Sequence, residues 1–126
     1  MTLPAPVDPR RAPDVRAFRD ALGRFATGVA FVTAAPDGEP AGLIVNSFAS
    51  VSLEPPLISF APARTSLTWS RMRRTGRFGV NVLGRGHEGF VQRATPADAD
   101  RFAGLDWEPG RCGVPLLRDA LAALEC

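Results

Sequence analysis

The stretch from Asn46 to Pro56, NSFASVSLEPP, breaks a run of otherwise ordinary β-type sequence. Before it, Ala41-Gly42-Leu43-Ile44-Val45 reads as a buried strand. Asn46, Ser47, Ser50 and Ser52 then alternate with Phe48, Val51 and Leu53, and Pro55-Pro56 closes the stretch. Hydroxyls and an amide among apolar neighbours suit a planar heterocycle, whose edge takes hydrogen bonds and whose faces take apolar cover. A strand end running into a polar turn accounts for the same residues. Taken alone, the stretch leaves both readings open.

Upstream, Gly28 opens GVAFVTAA, a β-branched and aromatic strand. Pro36 and Gly38 in APDGEPA make a turn, so Gly28 to Ser47 reads as an antiparallel hairpin. Asp14 is placed to cap a helix carrying Val15, Phe18, Leu22 and Phe25, expected to cover one side of a core. Residues 1–13 are Pro-rich and are expected to form a disordered arm, leaving 14–126 as a single domain.

Downstream, LISFA reads as a third strand and RFGVNVL as a fourth. Between them, Thr65 or Ser66 caps a helix with Leu67, Trp69 and Met72 that stops at Gly76. Glu88 to Ala94 suits a short helix. Thr95, Pro96 and Gly104 mark the start and stop of another. Trp107 to Pro115 reads as loop, and LRDALAALEC as either helix or strand. Hairpins with short helices between them point to an antiparallel barrel or sandwich.

Bulk properties narrow the function. The chain has 126 residues and a net charge of +2, too small to argue for nucleic acid or a membrane surface. All of its basic side chains are Arg. The first residues lack the apolar core of a signal peptide, and reduced thiols at Cys112 and Cys126 point to the cytoplasm. No metal-ligand spacing or catalytic triad is present, a Rossmann nucleotide domain is not indicated, and His87, the only histidine, is expected in an exposed loop. Trp69 and Trp107 are expected as core or interface anchors.

Arg64, Thr65, Ser66 and Thr68 form the other candidate site, since a guanidinium, hydroxyls and a helix start suit a phosphate. On spacing alone, an N-cap beside a solvated Arg64 is the preferred account of them. Arg71, Arg73, Arg74 and Arg77 read as a solvated helix end that complements the dipole, with a docking site for a dinucleotide phosphate as the minor alternative. A planar polar ring at one block and a phosphate at the other are the two halves of a flavin nucleotide.

In this order the blocks FRDALGRFATGVAFVTA, GLIVNSFASVSLEPPLISF, ARTSLTW, GRFGVNVL, DRFAG and ALAALEC resemble the flavin reductase-like, FMN-binding split-barrel proteins, from about Asp14 to Cys126. That family includes the reductase components of two-component flavin-dependent monooxygenases. The resemblance implies a mainly β, Greek-key split barrel with short helices, a homodimer, and flavin near the subunit interface. It implies that Asn46, Ser47, Ser50, Val51 and Ser52 meet the isoalloxazine and ribityl chain, and that Arg64, Thr65, Ser66 and Thr68 hold the phosphate. The implied reaction is reduction of FMN or FAD by NADH or NADPH, with reduced flavin passing to a monooxygenase. No catalytic side chain is then required, because hydride transfer belongs to the two cofactors. The resemblance also implies closing strands beyond the position of Cys126, so a flavin-binding module without turnover stays open as the alternative.

Overall fold

A computed structural model describes residues 11–12, 14–97 and 99–126. Its centre is β1 (Ala30–Ala34), every residue of which is buried. This strand is covered on both faces, which explains its unbroken apolar character. It pairs antiparallel with β2 (Ala41–Val45) on one side and β5 (Gly79–Val82) on the other. β8 (Ala122–Glu125) adds to β5, giving a four-stranded sheet of order β2-β1-β5-β8. Mutual backbone bonds of 2.9 Å between Phe78 and Cys126 extend the β5–β8 pairing by one step.

Alternation along β1 sends side chains into two apolar clusters. Ala30, Val32 and Ala34 join Val45, Val80 and Met72, with Phe60, Trp69 and Phe78 packed around them. Phe31 points the other way, to Phe90, Leu83 and Leu117, with Phe102 and Trp107 alongside. Met72 is carried by α2 (Leu67–Met72) and Phe90 by α3 (Glu88–Ala94), so the two helices cover opposite faces. Each large apolar side chain so buried contributes about 1.5–3 kcal/mol. Both tryptophans are half-buried within these clusters, as expected of core anchors.

A buried polar link ties the second layer to the sheet. Asn81 Nδ2 donates to the Phe31 carbonyl at 3.0 Å, and Asn81 Oδ1 accepts from Leu117 N–H at 2.8 Å. Thr33 Oγ1 donates to the Pro115 carbonyl. The β1–β2 turn holds Asp37 at φ 56° and Gly38 at φ 81°, the left-handed pair that a tight hairpin demands.

Several sequence expectations change. The helix α1 (Val15–Leu22) forms and is capped by Asp14, yet Val15, Phe18, Leu22 and the following Phe25 are 54–76% exposed. The apolar stripe is real, but no described residue covers it. The stretch that looked least like β structure contains β3 (Ala49–Leu53), which pairs with β4 (Pro56–Ser59) across a cis Glu54–Pro55 bond. The supposed loop contains a small hairpin, β6 (Trp107–Pro109) with β7 (Pro115–Leu117). Its strands are too short to show a period, and tertiary packing of Trp107 and Leu117 holds them.

No helix spans Thr95 to Gly104 among the described residues. Thr95 Oγ1 donates to the Val91 carbonyl at 2.7 Å and so ends α3 instead of starting a new helix. Arg101 Nε donates to the Ala94 carbonyl and Asp100 accepts from Phe102 N–H, side-chain bonds that compete with a helical ladder. The final segment resolves as a strand. His87 is buried, at 7% exposure, instead of lying open. Its Nδ1 accepts from Gly84 N–H at 3.0 Å, and Nε2 lies 3.2 Å from Asp119 Oδ1 without a well-aligned hydrogen bond. The expected arm over 1–13 lies outside the described residues apart from exposed Arg11 and Ala12.

The three sheets do not close into one continuous barrel among the described residues. No helix among them is long and apolar enough to cross a membrane.

Candidate functional site

The β3–β4 hairpin stands away from the central sheet because its residues are largely exposed; Val51 is 60% and Leu53 90% exposed. Between this hairpin and the β5–β8 edge lies a cleft of about 560 Å³. Ser50 and Ser52 open on it, while Phe48, Leu57, Phe78 and Leu124 supply apolar walls. A few polar groups on a mainly apolar cleft of this size are what a planar ring ligand needs. The register of the hairpin shifts between Ser50 and Ser52, so Val51 is left over at a bulge and does not line the cleft. Asn46 is exposed at the end of β2.

Ser47 has a different place. Its Oγ accepts from Ala61 N–H at 2.9 Å, which fastens the start of the hydroxyl block to the segment leading into Arg64. Arg64 and Thr65 sit in an exposed turn, and Ser66 is the N-cap of α2, its Oγ accepting from Trp69 N–H at 3.1 Å. The Ser66 hydroxyl proton is not used in that bond, so it is left to donate. Thr68 is half-buried and opens on a second, polar cavity of about 250 Å³ beside Arg71 and Gly42.

The structure therefore brings the two sequence blocks side by side through Ser47 and Ala61, but into no single cavity. Ser50 and Ser52 face the apolar cleft; Thr68 faces the polar one. Phe78, Leu124 and Cys126 join the cleft from strands far away in sequence, and periodicity in the 46–56 stretch carries no sign of them. Partial burial there pushes the Cys126 thiol up from its ordinary value. Cys112 is exposed and unpaired.

Known proteins are similar to this chain in sequence and in shape. Residues 22–126 match the family model described as "Flavin reductase like domain". The reductase subunit HsaB of a flavin-dependent monooxygenase from Rhodococcus jostii (strain RHA1) is 43% identical over 120 residues, covering 95% of this chain and 58% of the relative. Nitrilotriacetate monooxygenase component B from Mycobacterium thermoresistibile superposes with a TM-score of 0.84 at 40% identity, covering 88% of this chain and 62% of that one. The NADH:FAD oxidoreductase SgcE6 of Streptomyces globisporus C-1027, solved with NAD and FAD fragments, gives a TM-score of 0.80 at 35% identity over 98% of this chain and 73% of that one. The chain thus spans about 58% of the length of the HsaB relative. Its mainly β architecture with three short helices is the split-barrel fold of these solved reductases. With the match running from residue 22 to residue 126, the chain belongs to the flavin reductase-like family.

Proposed function

We propose that this chain is the flavin-binding part of an NAD(P)H-dependent flavin oxidoreductase that supplies reduced FMN or FAD to a partner monooxygenase. The observation that carries this is the cleft of about 560 Å³ with Ser50 and Ser52 on apolar walls, in a chain of this family. The relatives' names support it: a monooxygenase reductase subunit and an NADH:FAD oxidoreductase.

The residues fit the cofactor. Ser50 and Ser52 offer hydroxyls to the polar edge of an isoalloxazine, and Phe48, Leu57 and Phe78 offer apolar surface to its faces. On this reading Asn46, Ser47 and Val51, which do not line the cleft, meet the flavin's ring edge and ribityl chain from beside it. Arg64, Thr65, Ser66 and Thr68 hold the phosphate: Arg64 by charge-assisted bonds, the hydroxyls by donation. Bound flavin supplies the hydride-accepting chemistry, with NADH or NADPH as donor. The protein's own work is to hold two flat rings at reacting distance and keep water out of the cleft. No side chain need transfer a proton or form a covalent bond for this.

Residues 14–126 belong to this domain, and the active species is a homodimer with flavin near the subunit interface. The exposed apolar stripe of α1 and the open face of the β3–β4 hairpin support this, since both need cover that one copy does not give. The two unpaired cysteines suit a reducing cytoplasm.

The test mixes purified protein, NADH or NADPH, and excess FMN or FAD, and follows loss of nicotinamide absorbance. Turnover is expected. Flavin binding by folded protein with no oxidation of either nicotinamide would refute the enzymatic reading.

A further inference from the structure

Thr68 and Arg71 lie one turn apart on α2, and Arg74 continues the three-residue spacing from the 3-10 turn Arg73–Thr75 that follows it. Arg71 borders two cavities, the one of about 250 Å³ that Thr68 also lines and another of about 340 Å³ shared with Arg74, Thr75, Pro36 and Asp37. The two cavities therefore share Arg71.

The walls of the larger cavity are chemically distinct. Arg71 and Arg74 are exposed, and among the described residues neither has a carboxylate within 4.0 Å. The Thr75 hydroxyl is committed to the backbone, its one proton facing the Met72 and Arg77 carbonyls and its oxygen accepting from Arg77 N–H, and so it shapes the wall without binding. Asp37, in the left-handed region within the β1–β2 turn, lines the same cavity. Two planar cations suit phosphate oxygens, and a single carboxylate in the same cavity suits ribose hydroxyls. That carboxylate also opposes a phosphate on the ribose.

We propose that this groove binds the phosphate-and-ribose end of an adenine dinucleotide whose ribose hydroxyls are free. Both FAD and NADH carry that group. The inference rests on the flavin reductase reading, because it continues the phosphate site at Ser66 and Thr68. A second phosphate of a dinucleotide flavin, leaving Thr68, meets Arg71 next. Arg71 and Arg74 then set the preference for a dinucleotide over FMN.

The test compares the wild-type chain with the double variant Arg71→Gln/Arg74→Gln. Both side chains lie on the surface, and matching unfolding curves verify the fold. ADP is titrated first, as a probe of the groove free of any flavin. Binding to wild type is expected, weakened at least about tenfold in the variant, while FMN affinity stays within about twofold. If FAD occupies the groove, its dissociation constant rises at least about tenfold with the KM for NADH unchanged; if NADH does, the reverse holds. In wild type, ADP carrying an added 2′-phosphate binds more weakly than ADP, and Asp37→Asn narrows that gap. Wild type that ignores ADP, a variant that binds it equally, or equal losses for FMN and FAD would overturn the proposal. Arginine-dependent ADP binding by a protein that binds no flavin would support the groove and sink the flavin reading instead.

Discussion

Ser66 offers a clean separation of stability from ligand binding. Its Oγ caps α2 by accepting from Trp69 N–H at 3.1 Å, and its hydroxyl proton is the one assigned to the flavin phosphate. Ser66→Asp keeps the cap, because aspartate serves as well as serine at that position. It removes the donor and sets a negative charge where a phosphate is to sit. At an effective dielectric of about 20, one unit of repulsion costs about 4 kcal/mol at a separation of 4 Å and about half that at 8 Å. FMN affinity should therefore fall by about 30-fold to about 1000-fold, with the smaller loss at higher ionic strength. Riboflavin has no phosphate, and its affinity should stay within about twofold. Ser66→Ala behaves differently: it loses the cap, about 1 kcal/mol of stability, and only a neutral donor to the ligand. Flavin fluorescence titrations with FMN and riboflavin, beside urea unfolding of each variant, read both effects. If Ser66→Asp weakens the two flavins equally, or leaves FMN untouched, the phosphate does not sit at the start of α2.

Other consequences can be measured as directly. Asn81→Ala leaves the Phe31 carbonyl and the Leu117 N–H without their buried partners, so urea unfolding should show a loss of about 2–4 kcal/mol. Gly42→Ala forces a methyl into the ring of Phe31, and about 1–3 kcal/mol of overpacking should appear as a lowered midpoint. Burial raises the Cys126 thiol, so less thiolate is present at a given pH and alkylation of a Cys112→Ser variant should rise only above the ordinary thiol range. The folded state favours the protonated thiol, and any stability linked to it is present at neutral pH and lost as pH climbs through the raised value. Bound FMN should slow that alkylation, since Cys126 lines the cleft. Finally, Phe18→Glu with Leu22→Glu places charges on the exposed stripe of α1, and light scattering should show a dimer in wild type and a monomer in the variant.

Local chemistry was legible wherever it was written in neighbouring residues. Asp14 and Ser66 as caps, Gly76 as a left-handed stop at φ 66° and the β1–β2 hairpin all depend on side chains within a few positions of the feature. Family membership was legible too, because the blocks from the first strand to ALAALEC follow in order along one chain. Other features answer to partners distant in sequence. His87 is buried by packing that brings Asp119 to its ring, and the β6–β7 hairpin is held by Asn81 and by the cluster around Phe31. Nothing adjacent to either announces it.

The hydroxyl block shows the division most clearly. The amino-acid order alone settles that Ser47, Ser50 and Ser52 stand close together after a buried strand, since a few bonds of backbone cannot separate them far. Only the folded chain decides that they part company. In the β3–β4 hairpin Ser50 and Ser52 line an apolar cleft, while Ser47 is drawn to Ala61. The cleft itself exists because β8 pairs with β5 and carries Leu124 and Cys126 to meet Phe78 and Phe48. Contacts of that range are set by which apolar surfaces can be buried together, a property of the whole packed chain and of no single stretch of it.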